Sequence, residues 1–329
     1  MTDSKLSICT RRQVIATVAA SACTGLMPTT GTAQESTIRL SVGFPPGGSG
    51  DLFARFLADA LRDELGRPVV VENRPSGGGM TVAQQFLRAP KDGNHLMLAT
   101  GSTAISAPIS RAKPPYNPVD DFQWIALMSN APFVIALHPS VPVRDLQGFV
   151  AYCKENPGKL SYGHAGLGTT VHLAGELLKE RAGINVLDVP YAGSAPAINY
   201  TLSGTVQAIV ETSATLLPHH KSGRLRIITT MAEAREKIAP EIATSREAGY
   251  DLIAGTCNLL AAPLGTPPQA LEVIARAVSR VMEKPAVVER LLQQGIQPIS
   301  QSNPAQARAY VASEVARWSA VVKKLGIAL

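Results

Sequence analysis

The sequence predicts an α/β protein built from two doubly wound domains, and three observations carry that prediction. Strand-like and helix-like segments alternate from Ile38 to Thr229; three glycine-rich loops each join a strand to the helix after it; and the chain from Pro268 onward is almost wholly helical. A length of 329 residues suits two domains of roughly 100–200 residues better than one core.

The first unit begins with Ile38-Arg39-Leu40-Ser41-Val42, a short strand with alternating apolar residues. It runs into the turn-rich Phe44-Pro45-Pro46-Gly47-Gly48-Ser49-Gly50-Asp51. Leu52, Phe53, Phe56, Leu57, Leu61 and Leu65 then recur at helical spacing, with Arg55, Asp59, Arg62 and Asp63 off the stripe. Val69-Val70-Val71 reads as a second strand, followed by a loop from Asn73 to Gly79, a helix over Thr81–Arg88 and a third strand, His95–Thr100. Strand, glycine-rich loop, helix, strand is the βαβ unit of a parallel sheet.

The pattern restarts at the strand-like Phe133–Leu137, with a helix over Asp145–Glu155 that Asn156-Pro157-Gly158 stops. Leu160-Ser161-Tyr162 leads into the loop Gly163–Thr170, a helix over Val171–Arg181 and a strand at Val186–Tyr191. Further units follow at Val206–Val210 and Leu225–Thr229, then helices at Pro268–Met282, Pro285–Gln294 and Pro304–Leu325. The expected plan is a first domain of residues 34–138 plus 257–329 and a second of residues 139–256. The chain would cross near Leu137, return near Cys257 and pack its last helices on the first domain.

Residues 1–33 read as an export signal. Thr10-Arg11-Arg12-Gln13-Val14-Ile15 places paired arginines before an Ala-rich apolar run to Met27, and Gly31-Thr32-Ala33 offers small residues for cleavage near Ala33. The adjacent arginines resemble a twin-arginine address. The apolar run is too short and too interrupted for a membrane span of ~20 residues. Cys23 leaves a lipoprotein as the lesser alternative, because a Leu three positions earlier is missing. The location expected is the periplasm.

Composition excludes some classes. With 45% hydrophobic and 17% charged residues the chain is globular. The net charge of +6 falls to +4 without the signal, and the basic residues are scattered, so no nucleic-acid partner is expected. After the signal only Cys153 and Cys257 remain, free or bridged; no C-x-x-C occurs and the six His lack metal-site spacing, so no metal and no cofactor are expected.

The glycine-rich loops carry the chemistry. In an open parallel sheet, ligands collect beyond the carboxyl ends of the strands, where helix N-termini present unpaired N–H groups that receive an anion. Gly47-Gly48 and Gly166-Leu167-Gly168-Thr169-Thr170 supply such nests, and Ser49, Thr169 and Thr170 add hydroxyl donors suited to a carboxylate. Catalytic readings are weaker. Gly47-Gly48-Ser49 lacks the Lys of a P-loop, there is no G-x-S-x-G elbow near His164 or His172, and no nucleophile–base pair stands out.

The chain resembles the substrate-binding receptors of tripartite tricarboxylate transporters, the Bug family, from about Ile38 to the C-terminus. The specific stretches are Phe44–Asp51 with Ala54-Arg55, Leu65-Gly66-Arg67-Pro68-Val69-Val70-Val71-Glu72-Asn73-Arg74-Pro75, Asp92-Gly93 and Tyr116-Asn117-Pro118 with Asp121-Phe122. Gly166–Thr169 with His172-Leu173, Val189-Pro190-Tyr191 with Gly193–Ala197, and Pro263–Pro267 complete the set. The resemblance implies a type II periplasmic-binding-protein fold whose domains close on a small organic acid or amino acid. It also implies a monomer that is not an enzyme and that hands its ligand to a membrane permease. By matching position it implies ligand contacts from Phe44, Pro45, Gly47, Gly48, Ser49, Asp51 and Gly78 on the first domain, and from Gly168, Thr169, Thr170, Tyr191 and Gly193 on the second. Asp51 has a competing role as a helix cap, since a carboxylate repels an anionic ligand. The chain departs from the family pattern at Ala192 (usually Lys), Gln207 (often Asp), Asn94-His95 (usually Tyr-Thr) and Cys257 (often Trp), the last expected to reshape the pocket. The alternative reading is an enzyme or sensory co-receptor on the same fold.

Overall fold

The computed structural model describes residues 37–75 and 77–329; the export signal, its cleavage point and Cys23 lie outside the described residues. Among the described residues ten strands form one sheet: eight lie on the path β2-β1-β3-β9-β4-β7-β5-β6, and β10 and β8 are both added on β4. They are β1 (Ile38–Val42), β2 (Val69–Asn73), β3 (His95–Thr100), β4 (Phe122–Leu137), β5 (Ser161–His164), β6 (Leu187–Pro190), β7 (Ala208–Thr212), β8 (Arg226–Thr230), β9 (Gly255–Pro263) and β10 (Gln297–Pro298).

The long strand β4 divides the molecule into two lobes. Its residues from Phe122 to Pro132 pair with β9, and from Phe133 to Leu137 with β7 and β8. The sheet is mixed, with the parallel βαβ units joined through two antiparallel strands. β1 is parallel to β2 and β3, and β5 to β6 and β7, but β4 and β9 run antiparallel to all their neighbours. The reason is connectivity: these two strands carry the chain out of the first lobe and back, so they must run in opposite senses.

Alternation in the sequence explains how the first lobe packs. Ile38, Leu40 and Val42 of β1 are fully buried and Arg39 faces solvent, as period-2 patterning requires. Against them lies the helix Ser49–Leu65, whose Phe53, Leu57 and Leu61 recur every fourth residue on one face. Burying each contributes roughly 1.5–3 kcal/mol before entropy is counted. Gly66 ends this helix at φ 66°, a left-handed cap that glycine adopts without strain. Leu52, expected on the stripe, is half exposed instead.

Helix Pro268–Glu283 closes the same core through Ile274, Ala277, Val278 and Val281. Helix Pro304–Leu325 opens on a capping box, in which the Asn303 side chain and Gln306 satisfy each other's backbone N–H. This last helix is tied to both lobes, through Tyr310 to Asn130 and through Lys324 to Glu180. Cys153 and Cys257 are free and buried, and burial pushes their thiols up, to about 11 and about 12.

Candidate functional site: a cleft ringed by helix starts

A cavity that is partly open to solvent lies between the lobes, lined by residues of both. Four of its lining residues, Ser49, Ser102, Thr170 and Ser194, are each the first residue of a helical segment: Ser49–Leu65, the π-type turn Ser102–Ser106, Thr170–Ala182 and Ser194–Leu202. Each segment follows a strand or its loop, so strand ends deliver helix N-termini to one point. The first turn of a helix has N–H groups without intrahelical partners and carries the positive end of the dipole. Hydroxyl side chains at these positions add donors. The arrangement favours an anion although no Lys or Arg is among the lining residues.

The lobes touch across this space. Ser49 donates to Glu211 at 3.3 Å and the Thr170 amide donates to Ser102 Oγ at 3.1 Å; within the first lobe the Gly101 amide donates to Thr256 Oγ1 at 3.2 Å. Thr100 also lines the cavity, and its hydroxyl is buried without a hydrogen-bond partner among the described residues. Such a group costs about 1–3 kcal/mol unless something satisfies it.

Of the residues expected to touch ligand, Phe44, Gly48, Ser49 and Thr170 line the cavity. The others frame it. Pro45 packs on Gly193 so closely that a Cβ on Gly193 would sit 2.6 Å from the proline ring. A Cβ on Gly47, at φ 87°, would meet only Ala195. Gly78, at φ 72°, gives its carbonyl to Thr103 and lies against Thr169. The Gly168 amide donates to His172 Nδ1 and is therefore not available to a ligand. Thr169 caps its helix: its hydroxyl donates to the Gly166 carbonyl and accepts from the His172 amide. Tyr191 stacks on Tyr200 with ring centroids 4.9 Å apart.

Asp51 is a structural anchor. Its buried carboxylate accepts from the Gly47 amide, Asn73 and Arg55 and so ties the loop to its own helix and to β2. Burial raises its pKa, but the Arg55, Gly47 and Asn73 hydrogen bonds outweigh that and hold it below the usual value.

The departures at positions 207 and 257 lie outside the cavity lining. Gln207 accepts from Ser161, and Cys257 is buried beside Tyr310; Thr256 is the lining residue there. Sequence spacing also missed Thr100, Phe133, Ser194, Glu211 and Thr256, which line the cavity. Glu211 had one visible signal, an acid at the end of the apolar run Ala208-Ile209-Val210.

His164, His172 and Asp188 come together below the Gly166–Thr170 loop, with ligand-capable atoms within 4.8 Å of one another. His172 Nδ1 accepts the Gly168 amide, which puts the neutral ring's proton on Nε2 and denies a metal that lone pair. Burial, and then the neighbouring His172, lower the His164 pKa to about 4.

Known proteins share this architecture. A model of the tripartite tricarboxylate transporter family receptor matches residues 53–327. The chain belongs to that family. Protein BugT of Bordetella pertussis is 34% identical over 294 residues, covering 89% of this chain and 90% of BugT. The structure of the periplasmic binding protein BugD superposes with a TM-score of 0.85 at 30% identity, over 89% of this chain and 99% of BugD. MatC from Rhodopseudomonas palustris with bound malate does so with a TM-score of 0.82 at 28% identity, over 87% of this chain and 98% of MatC. The fold is the two-domain type II periplasmic-binding-protein fold, and the chain is a solute-binding receptor of the Bug kind. The family and these neighbours are periplasmic binding proteins, and no described helix is long and apolar enough to cross a membrane.

Proposed function

We propose that this receptor captures a small organic acid between its lobes and delivers it, unchanged, to a tripartite tricarboxylate-type permease. The observation that carries this is the buried, unpartnered Thr100 hydroxyl inside a cavity ringed by four helix starts from both lobes. A carboxylate would accept from that hydroxyl and from first-turn amides without needing a cationic clamp. Malate in MatC is a ligand of this chemistry.

The lobe boundaries follow the strand pairing. We place them at Pro132/Phe133 and Ala254/Gly255, with β4 and β9 as the hinge, a few residues before the boundaries expected at 138/139 and 256/257. Binding without chemistry fits the lining, in which no His stands beside Ser49, Ser102 or Thr170 among the described residues. The monomeric, exported form is cleaved near Ala33, without use of Cys23 as a lipid anchor. Arg11→Lys with Arg12→Lys should hold precursor in the cytoplasm; full export would remove the twin-arginine route.

The main test is a thermal-shift screen of mono-, di- and tricarboxylates, amino acids and aromatic acids. A ligand at ~100 times its dissociation constant adds roughly 2.7 kcal/mol, which should raise Tm by several degrees. The bound compound should be recovered chemically intact. No stabilisation by any acid, or recovery of a product, contradicts the reading.

A further inference from the structure

Glu211 is the only ionisable residue lining the cavity among the described residues. It is 2% exposed, and what surrounds it is hydroxyl and amide: Oε1 accepts from Ser49 Oγ at 3.3 Å and from the Thr212 amide at 2.9 Å, and the Ser194 hydroxyl also donates to the carboxyl group. The Thr212 amide can only donate to this carboxyl group, and the Ser49 and Ser194 hydroxyls can donate to it as well. The nearest acid–base pair on the facing helix, Asp51 with Arg55, is turned away toward Gly47 and Asn73. A buried carboxylate with no cation is costly unless a partner supplies the charge. Among the described residues no Lys, Arg or His pairs with Glu211.

We propose that Glu211 seats an ammonium group of the ligand, so that the natural ligand is a zwitterion of the amino-acid class. Its carboxylate would lie toward Thr100 and the helix starts at Ser102 and Thr170. This rests on the acid-capture reading and narrows it. In the empty cleft burial pushes the Glu211 pKa up; an incoming ammonium reverses that, so amine binding should weaken as pH falls. A des-amino acid would behave in the opposite way, since it binds beside Glu211 only when that group is protonated.

The experiment is calorimetry on the whole mature chain with matched pairs of probes, L-aspartate with succinate and L-glutamate with glutarate. The wild type should bind the amino member of at least one pair ten-fold or more tightly than its partner. Glu211→Gln, nearly the same shape, should lose ten-fold or more of that affinity and narrow the discrimination, with folding checked by circular dichroism. If Glu211→Gln does not fold, the wild-type discrimination and its pH profile decide the question alone. Preference for the des-amino member, with binding that strengthens at lower pH, overturns the proposal while leaving acid capture standing. Failure of every probe and every acid in the screen overturns both.

Discussion

Two buried acids lie in opposite lobes, Asp51 behind the cleft and Glu211 on its wall, and their surroundings differ. Asp51, in the first lobe, holds Arg55, Asn73 and the Gly47 amide, so its charge is compensated within one loop and its pKa is lowered. Glu211, in the second, borders the cavity, and burial raises its pKa by more than its hydroxyl and amide donors lower it. The first lobe thus presents a finished platform, whereas the second presents a group whose compensation is incomplete. In a trap of two halves, shape is built into one side and selectivity into the other.

The largest effect should appear in acid, and it separates the lobes. His164 is buried neutral with a folded pKa near 4 against 6.5 unfolded, so the unfolded chain binds the proton first. Stability contributed by this group is present above pH 6.5 and is lost as pH falls toward 4, by about 3 kcal/mol at most. His164→Gln should flatten that slope in urea titrations, and an unchanged slope would remove this account. Asp51 acts in a lower window: its contribution is present above the ordinary Asp value near 4 and disappears as pH falls through its depressed folded pKa.

Asp51→Ala comes next. It leaves Arg55, Asn73 and the Gly47 amide without their acceptor and should cost about 2 kcal/mol of unfolding free energy. Glu211→Ala should cost less stability than that and change ligand affinity instead. If the two variants behave alike, the contrast between platform and selector is wrong.

Gly193→Ala probes the contact between the halves. Gly193 has φ 137°, and a Cβ there would press on Pro45 across the cleft. Each lobe should still fold, but closure should be impaired, with ligand affinity lowered ~10-fold, or about 1.4 kcal/mol. Gly223→Ala, where nothing lies within 4 Å of the new Cβ, carries backbone strain at φ 72° without the cleft contact and should spare binding.

Much of the fold was legible because its elements obey local rules. The alternation in β1, the four-residue repeat of Phe53, Leu57 and Leu61, and the capped helix Pro304–Leu325 all state their structure in sequence. The first eleven residues of β4 did not. Bulges between Trp124 and Ala126 and between Leu127 and Ser129 break its alternation, and Pro132 looks like a stop although it marks the change of pairing partner. At the site, Gly48, Ser49 and Thr170 were visible because glycine and hydroxyl residues cluster before a helical stripe. Thr100, Glu211 and Thr256 were not: each sits in a strand, Thr100 and Thr256 come together through the pairing of β3 with β9, and Glu211 joins them only when the two lobes pack together. Gly168 misled for a local reason: a loop glycine suggests a free amide, but His172 four residues later takes it.

The most direct test of the central claim is an NMR titration of backbone amides with an acid from the thermal-shift screen. The account predicts that the largest shifts fall at Ser49, Thr100, Ser102, Thr170, Val171 and Ser194 together, on both lobes and at the same ligand concentration. Shifts confined to one lobe, or centred away from these helix starts, would contradict it.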